Sequence, residues 1–253
     1  MLPISVTIIA GNEEDRIADA VRSAAWADEV IVLDSESSDQ TADVAAEAGA
    51  RVVVEPWRGY GAQKNRAAEL ARNAWVFSLD ADERIDPVLA VAASDLPPRP
   101  PESAFRVRRR NYMAGRPIIH WPWSWDTTVR LFDRDRARFS EVAVHESLVV
   151  TGKIGPLPGM LEHLTYRDWS DYLERQLSYS RLGAEAALAR GRRPKIGDLG
   201  LRPVATFLRH LVVRGYLLGG RRGWRMSAMA ARGTYLKYLL LKDLVGRSAR
   251  LQS

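Results

Sequence analysis

The chain of 253 residues contains no cysteine, which excludes disulfides, thiolate metal sites and a cysteine nucleophile, and fits a reducing compartment. Histidine is scarce, with four in all. No charged leader precedes an apolar stretch at the amino terminus, so no secretory signal is expected. Long uninterrupted apolar runs are also missing. Leu211-Val-Val213 and Leu239-Leu-Leu241 are broken up by Arg209, His210, Arg214, Lys237 and Lys242, which argues against a membrane-spanning helix. Neither an internal repeat nor a long low-complexity segment is present. At 46% hydrophobic residues, there is ample material for one sizeable core.

The net charge of +6 conceals a division. Residues 190–253 hold 15 Lys plus Arg against Asp198 and Asp243, a net +13, whereas the preceding 189 residues hold 22 basic and 29 acidic groups, a net −7. Helical patterns over residues 201–218 and 224–245, separated by Gly219-Gly-Arg-Arg-Gly223, carry this charge. Trp224, Tyr216, Tyr235 and Tyr238 suit headgroup level, so the region is expected to lie on an anionic membrane surface as a peripheral anchor. The alternative is helices that pack on the rest of the chain, or on a second subunit in a homo-oligomer, and expose a basic face. No nucleic-acid recognition motif accompanies the charge.

Upstream, apolar runs at residues 4–9, 29–33, 51–54 and 75–79 alternate with helical patterns at 13–25, 40–48 and 61–72, which predicts repeated βα units and a mostly parallel sheet. Ligands on such sheets gather beyond the carboxyl ends of the strands. Three of those ends are polar: Gly11-Asn-Glu-Glu14, Asp34 to Asp39, and Asp80-Ala-Asp82. Residues two apart on a strand share a side, so Asp80 and Asp82 can face one hard cation, or one can hold the metal and the other a ribose hydroxyl. Mg²⁺ or Mn²⁺ suits such oxygen ligands and would neutralise a departing diphosphate. Asn12, Asp34, Ser38 and Asp39 read equally as helix caps and turn formers.

Four ordered motifs, Ser5-Val-Thr-Ile-Ile-Ala-Gly-Asn-Glu-Glu14, Val32-Leu-Asp-Ser-Glu-Ser-Ser-Asp39, Gly59-Tyr-Gly-Ala-Gln-Lys-Asn65 and Leu79-Asp-Ala-Asp-Glu83, resemble family 2 glycosyltransferases of the GT-A fold. The similarity is closest to the branch containing bacterial lipopolysaccharide core glucosyltransferases, and Trp125-Asp126, Arg130-Leu-Phe132 and Val144-His-Glu146 look like that branch too. It covers residues 4 to about 185. The resemblance implies a GT-A catalytic domain over residues 1–189, followed by a basic helical appendage over 190–253. It places Asn12 with Glu13 or Glu14 near the nucleotide base and ribose, Asp34 on the base, Lys64 toward the diphosphate, Asp80 on ribose or metal, and Asp82 on the metal with His145 completing the shell. The family often has Thr-Tyr before Asn-Glu where this chain has Ala10-Gly11, which removes a stacking surface for the base. Glu36 stands where the family commonly has Gly.

Inverting transfer needs a general base for the acceptor hydroxyl, and the candidates are Asp126 and Glu146. Asp126 lies among Trp121, Trp123 and Trp125, which offer a sugar-stacking floor and desolvate a carboxylate, or else serve as core or membrane-interface residues. Arg108 to Arg110 are cations for a donor diphosphate or a lipid-linked acceptor, or simply decorate a solvated edge strand. The expected activity is transfer of a hexose from a nucleotide diphosphate sugar to a glycolipid or lipopolysaccharide acceptor at the inner face of the cytoplasmic membrane. A sugar-phosphate nucleotidyltransferase would carry a basic glycine-rich loop after its first strand, and Gly11-Asn-Glu-Glu14 is acidic. A noncatalytic membrane scaffold would have no need of Asp80, Asp82, His145 and Glu146.

Overall fold

The computed structural model describes residues 1–118, 126–141 and 147–250. Trp121, Trp123, Trp125, His145 and Glu146 lie outside the described residues. Two compact units emerge, one formed by Met1–Tyr112 with Trp125–Thr165 and the other by Met113–Ser124 with Tyr166–Ser253.

The first unit opens with β1 (Ile4–Ala10), α1 (Ile17–Ser23), β2 (Glu29–Asp34), α2 (Thr41–Glu47), β3 (Arg51–Val54), α3 (Tyr60–Leu70) and β4 (Trp75–Asp80). Then come β5 (Glu83–Ile85), α4 (Pro87–Ser94), β6 (Ala104–Met113), β8 (Thr127–Asp133), β9 (Ala137–Phe139), β10 (Leu148–Val150) and β11 (Ile154–Tyr166), while the short β7 (Arg116–Pro117) falls among residues 113–124 of the second unit. The main sheet runs β3-β2-β1-β4-β8-β6-β11-β5, with β7 beside β6, and β9 pairs with β10 separately. Its first four strands are parallel. Beyond them β8 runs antiparallel to both β4 and β6, and β11 antiparallel to β5. The α/β architecture is the one expected for the GT-A fold.

β1 and β4 are buried along nearly their whole length because helices cover both faces, and their apolar runs are therefore continuous rather than alternating. Ile8, Phe77, Leu79, Leu131 and Leu161 sit fully buried in one core. β6 behaves differently. After a register shift between Phe105 and Arg106, Val107, Asn111 and Met113 are buried while Arg106, Arg108 and Arg110 are not, the two-residue period of a half-solvated strand. Gly61 in α3 is required by close approach: a Cβ there would lie 2.1 Å from the carbonyl oxygen of Ser140.

In the second unit α5 (Trp169–Ala189), capped by Asp168 accepting from the Asp171 amide, runs along α7 (Gly220–Arg250). Ala184, Ala187, Tyr238 and Leu241 are buried between them, and Ser180 donates to the Gly233 carbonyl at 3.1 Å. The pattern expected as one helix over 201–218 is interrupted. α6 (Leu201–Leu208) continues into one wider turn, Arg209–Val213, and stops before Gly215 at φ +70°. Conversely, the glycine-arginine stretch expected as a linker begins α7. Gly223 is inside that helix because a Cβ there would lie 1.6 Å from the Tyr216 carbonyl oxygen. Among the described residues no helix is long and apolar enough to cross a membrane.

At the amino-terminal edge of the sheet, buried Glu29 accepts from the Ser5 hydroxyl (2.7 Å), the Arg72 amide (2.8 Å) and Arg51 (3.1 Å). Burial alone would raise its pKa; these donors outweigh burial and hold it below the ordinary value. A lowered folded-state pKa adds stability that is present above the unfolded value and lost as pH falls through the folded one. Glu29→Gln is therefore expected to lower stability by about 1–3 kcal/mol at neutral pH, and urea melts should show the gap to wild type closing as pH drops below the model-peptide value near 4.5.

Candidate active site

Sheet register brings the polar strand ends together: Ala10 pairs with Asp34, and Ile9 with Asp80. The loop after β1 is laced to the loop after β2. Asn12 Oδ1 accepts from the Ser38 amide (2.8 Å) and hydroxyl (3.1 Å), and its own amide donates to Ser37 Oγ (2.9 Å). The Glu13 amide donates to Thr41 Oγ1 (2.7 Å), while Glu14 accepts from the Gln40 amide (3.0 Å). Buried Asp34 accepts from the Ser37 amide at 2.9 Å and from its hydroxyl. Ser38 and Asp39 lie in the bend before α2; Asp39 accepts from the Thr41 amide at 3.0 Å, but neither is the N-cap of α2, which is Gln40 without a side-chain cap bond. Asn12 (φ +55°) and Glu36 (φ +56°) adopt left-handed backbone. Asparagine tolerates that region; for Glu36 it explains why glycine is common at this position in the resembled family.

The carboxylates of the Asp80-Ala-Asp82 motif have different surroundings. Asp80, the last residue of β4, accepts from Lys64 Nζ of α3 at 3.0 Å and from Arg130 Nη2 of β8 at 2.6 Å. The same Arg130 nitrogen lies 2.6 Å from Glu83 Oε1. Glu83 is fully buried, and its other oxygen accepts from the Asp80 amide at 3.1 Å. Burial pushes the Asp80 carboxyl up, but Arg130 and then Lys64 overcome it and hold it far below the usual carboxylate range. For Glu83 burial wins, reinforced by the charges of Asp80 and Asp82 against Arg130, and its pKa is raised. Burial disfavours the Arg130 cation, yet Asp80 and Glu83 more than compensate and raise its pKa.

Asp82 lies just past the strand, with His163 Nε2 of β11 at 3.4 Å and Arg16 Nη1 at 3.8 Å. A chain of hydrogen bonds orients the histidine ring. Asp126 Oδ2 takes both Arg109 Nε and Nη2 at 2.7 Å and Asn111 Nδ2 at 3.1 Å. With its amide nitrogen donating to Asp126, Asn111 turns Oδ1 toward His163 Nδ1 at 2.6 Å. Asn111 Oδ1 only accepts, so Nδ1 carries a proton and the ring is turned with Nε2 toward Asp82. The two atoms, 3.4 Å apart, are close to the roughly 3 Å separation of neighbouring octahedral ligands at about 2.1 Å, with the imidazole neutral when it ligates. This pair fits a divalent cation. Among the described residues no group of three His, Asp or Glu side chains is placed to hold one, so a cation there would draw its remaining ligands from diphosphate or water.

The structure thus brings Lys64, Asp80, Asp82 and Asp126 into one connected cluster, and Asn12, Glu13, Glu14 and Asp34 into the adjoining loops. Of Arg108 to Arg110 only Arg109 enters the cluster. Sequence reasoning missed His163 and Asn111 as members, and Glu83 and Arg130 appeared there only within motifs. Glu83 and His163 are directly paired across β5 and β11, so strand register rather than any local motif delivers the histidine.

Arg130→Met would leave the Asp80 and Glu83 carboxylates facing each other, with Glu83 buried. A loss of about 3–5 kcal/mol is expected, read from urea unfolding, and adding Glu83→Gln should recover part of it. Equal stability of the single variant and wild type would show that Arg130 is not the counter-ion on which the cluster rests.

The glycosyl transferase family 2 model matches residues 5–120. A lipopolysaccharide core biosynthesis glycosyltransferase from Rhizobium meliloti is 33% identical over 216 residues, covering 82% of this chain and 80% of that protein. An uncharacterized glycosyltransferase from Rickettsia prowazekii is 31% identical over 261 residues, covering 96% of this chain and 88% of the relative. A glucosyl-3-phosphoglycerate synthase from Mycobacterium tuberculosis, solved with Mn²⁺, UDP-glucose and phosphoglyceric acid, is 28% identical, with a TM-score of 0.36 over 44% of this chain and 43% of that one. With a relative matched across four-fifths of both chains and a cluster built on Asp80 and Asp82 at the strand tips, the chain belongs to glycosyltransferase family 2.

Proposed function

We propose that the enzyme transfers a hexose, with inversion, from a nucleotide diphosphate sugar to a lipopolysaccharide core or similar lipid-linked acceptor. The observation that carries the metal-dependent part is the 3.4 Å approach of His163 Nε2 to Asp82 beside the charge-locked Asp80. Asp82 and His163 would hold Mg²⁺ or Mn²⁺, which when bound supplies positive charge to the leaving diphosphate. The relative named for lipopolysaccharide core biosynthesis supports the acceptor class.

The chain's own residues divide the remaining work. Asn12, Glu13, Glu14 and Asp34 shape the loops for the nucleoside, and Asp80, kept ionised by Arg130 and Lys64, is an acceptor for ribose hydroxyls. Lys64 completes the cationic wall of that corner. Asp126 is the favoured base. Its three contacts all fall on Oδ2, and the Arg109 fork fixes its orientation. The acceptor oxygen forms its bond to the anomeric carbon as the bond to the diphosphate oxygen breaks, the electron pair leaves with the diphosphate, and the hydroxyl proton passes to the base. Glu146 is the second candidate for that proton.

Calorimetric titration with UDP, GDP, CDP and dTDP, with and without Mn²⁺, tests the donor side. One diphosphate should bind in a metal-dependent way to wild type, and that dependence should vanish in both Asp82→Ala and His163→Ala. Unchanged metal-dependent binding in His163→Ala would remove the histidine from the shell. On the acceptor side, Asp126→Asn should cut kcat by about 10²–10⁴ with donor affinity retained. Wild-type turnover in that variant, with a loss in Glu146→Gln, would transfer the base role to Glu146.

A further inference from the structure

We infer that α6 and the turn after it form a docking face for an anionic lipid bilayer, lying in the membrane interface rather than crossing it. The surface is argued from the second unit alone, and it deepens the reading of a lipid-linked acceptor by naming the residues that would meet the bilayer.

Leu201, Val204, Leu208 and Val212 follow one another at intervals of three and four, which is one stripe of a helix. That stripe faces solvent: Leu201 is 77% exposed, Val212 63%, and Leu218 in the following turn 89%. The inner side of the same segment is already satisfied by other residues. Phe207 stacks against Trp224 at 5.4 Å, Thr206 accepts from Thr234 at 3.1 Å, and Leu211 is buried. The exposed stripe is therefore additional to what holds α6 in place, and an apolar surface of this kind marks an interaction site.

Charge selects the partner. Residues 190–225 contain ten Lys plus Arg and one acid, Asp198. Asp198 is buried and paired with Arg202 at 2.5 Å and Arg192 at 3.6 Å, so no carboxylate of this stretch faces outward. Arg193, Lys195, Arg209 and Arg221 are exposed along it. A second copy docked on the same face would set cations against cations. Anionic headgroups would instead neutralise them while the acyl boundary takes the leucines and valines. The shortness of α6 and the arginines flanking its stripe fit insertion to the headgroup level.

Flotation of the full chain with vesicles of phosphatidylcholine alone, and of phosphatidylcholine with phosphatidylglycerol, tests this. Binding is expected only to the anionic vesicles. It should weaken as salt rises from about 0.1 M to about 1 M, where the screening length falls from roughly 10 to 3 Å. Leu201→Gln with Leu208→Gln and Val212→Gln should lower partitioning by at least about tenfold, as should Arg209→Glu with Arg221→Glu. All substitutions lie on exposed side chains, and unchanged circular dichroism melts and nucleotide diphosphate titration would show that the first unit is intact. If vesicle binding were absent, or equal in the variants and wild type, the docking face would be overturned while the transferase reading stood. Concentration-dependent dimerisation abolished by the glutamine triple variant, without vesicle binding, would overturn it in favour of a second copy.

Discussion

One arginine joins the two halves of the sheet at the place where the chemistry is set. Arg130 stands on β8, where the parallel half meets its first antiparallel neighbour, and reaches Asp80 and Glu83 with a single nitrogen at 2.6 Å from each. Without it the tip of β4 would hold two carboxylates in a water-poor corner, which is untenable unless one is protonated. With it, Asp80 remains an anion under all ordinary conditions and Glu83 becomes the support beneath, gripping the Asp80 amide. The polar corner of the first unit is thus a charge-balanced structure before any ligand arrives.

That balance gives the two aspartates of one motif different chemistry. Asp80 has spent its charge on Lys64 and Arg130, so what it retains is hydrogen-bond acceptance in a fixed direction. The ion pair of Asp82 with Arg16 is longer, at 3.8 Å. Its near neighbour is Nε2 of the imidazole that Asn111 orients, and Asn111 is itself oriented by Asp126. The acid proposed as base and the histidine proposed as ligand are therefore positioned by one amide. A change at Asn111 would disturb both, although its own side chain is buried and need touch neither sugar nor nucleotide.

The parallel half was legible in the sequence because each of its strands is a continuous apolar run ended by polar residues, and each helix between is set off by turn formers. The acidic motif was legible because Asp80 and Asp82 are local to each other. His163 was not, since nothing around Leu161-Glu-His-Leu-Thr165 marks it apart from a strand, and it meets Asp82 only through pairing across eighty residues of chain. The helical appendage shows the opposite error. Glycines at 219, 220 and 223 read as a break, yet Gly223 is demanded by contact with the Tyr216 carbonyl, a requirement that exists only once the chain has folded back on itself.

The cations of the first unit also bear on why a metal would be needed. Lys64 and Arg130 lie on Asp80, Arg109 lies on Asp126, and Arg66 and Arg58 lie on Glu55. Each is bound to a carboxylate that would have to be abandoned before the cation could follow a departing diphosphate, and the ion pair with buried Glu83 makes that costly for Arg130. Buried Arg16, whose terminal nitrogens have no hydrogen-bond partner among the described residues, stands 3.8 Å from Asp82, and Asp82 and His163 present two ligand atoms 3.4 Å apart. Under the proposed mechanism a divalent cation arriving with the donor would add its charge at this corner, and Asp82 and His163 would hold it.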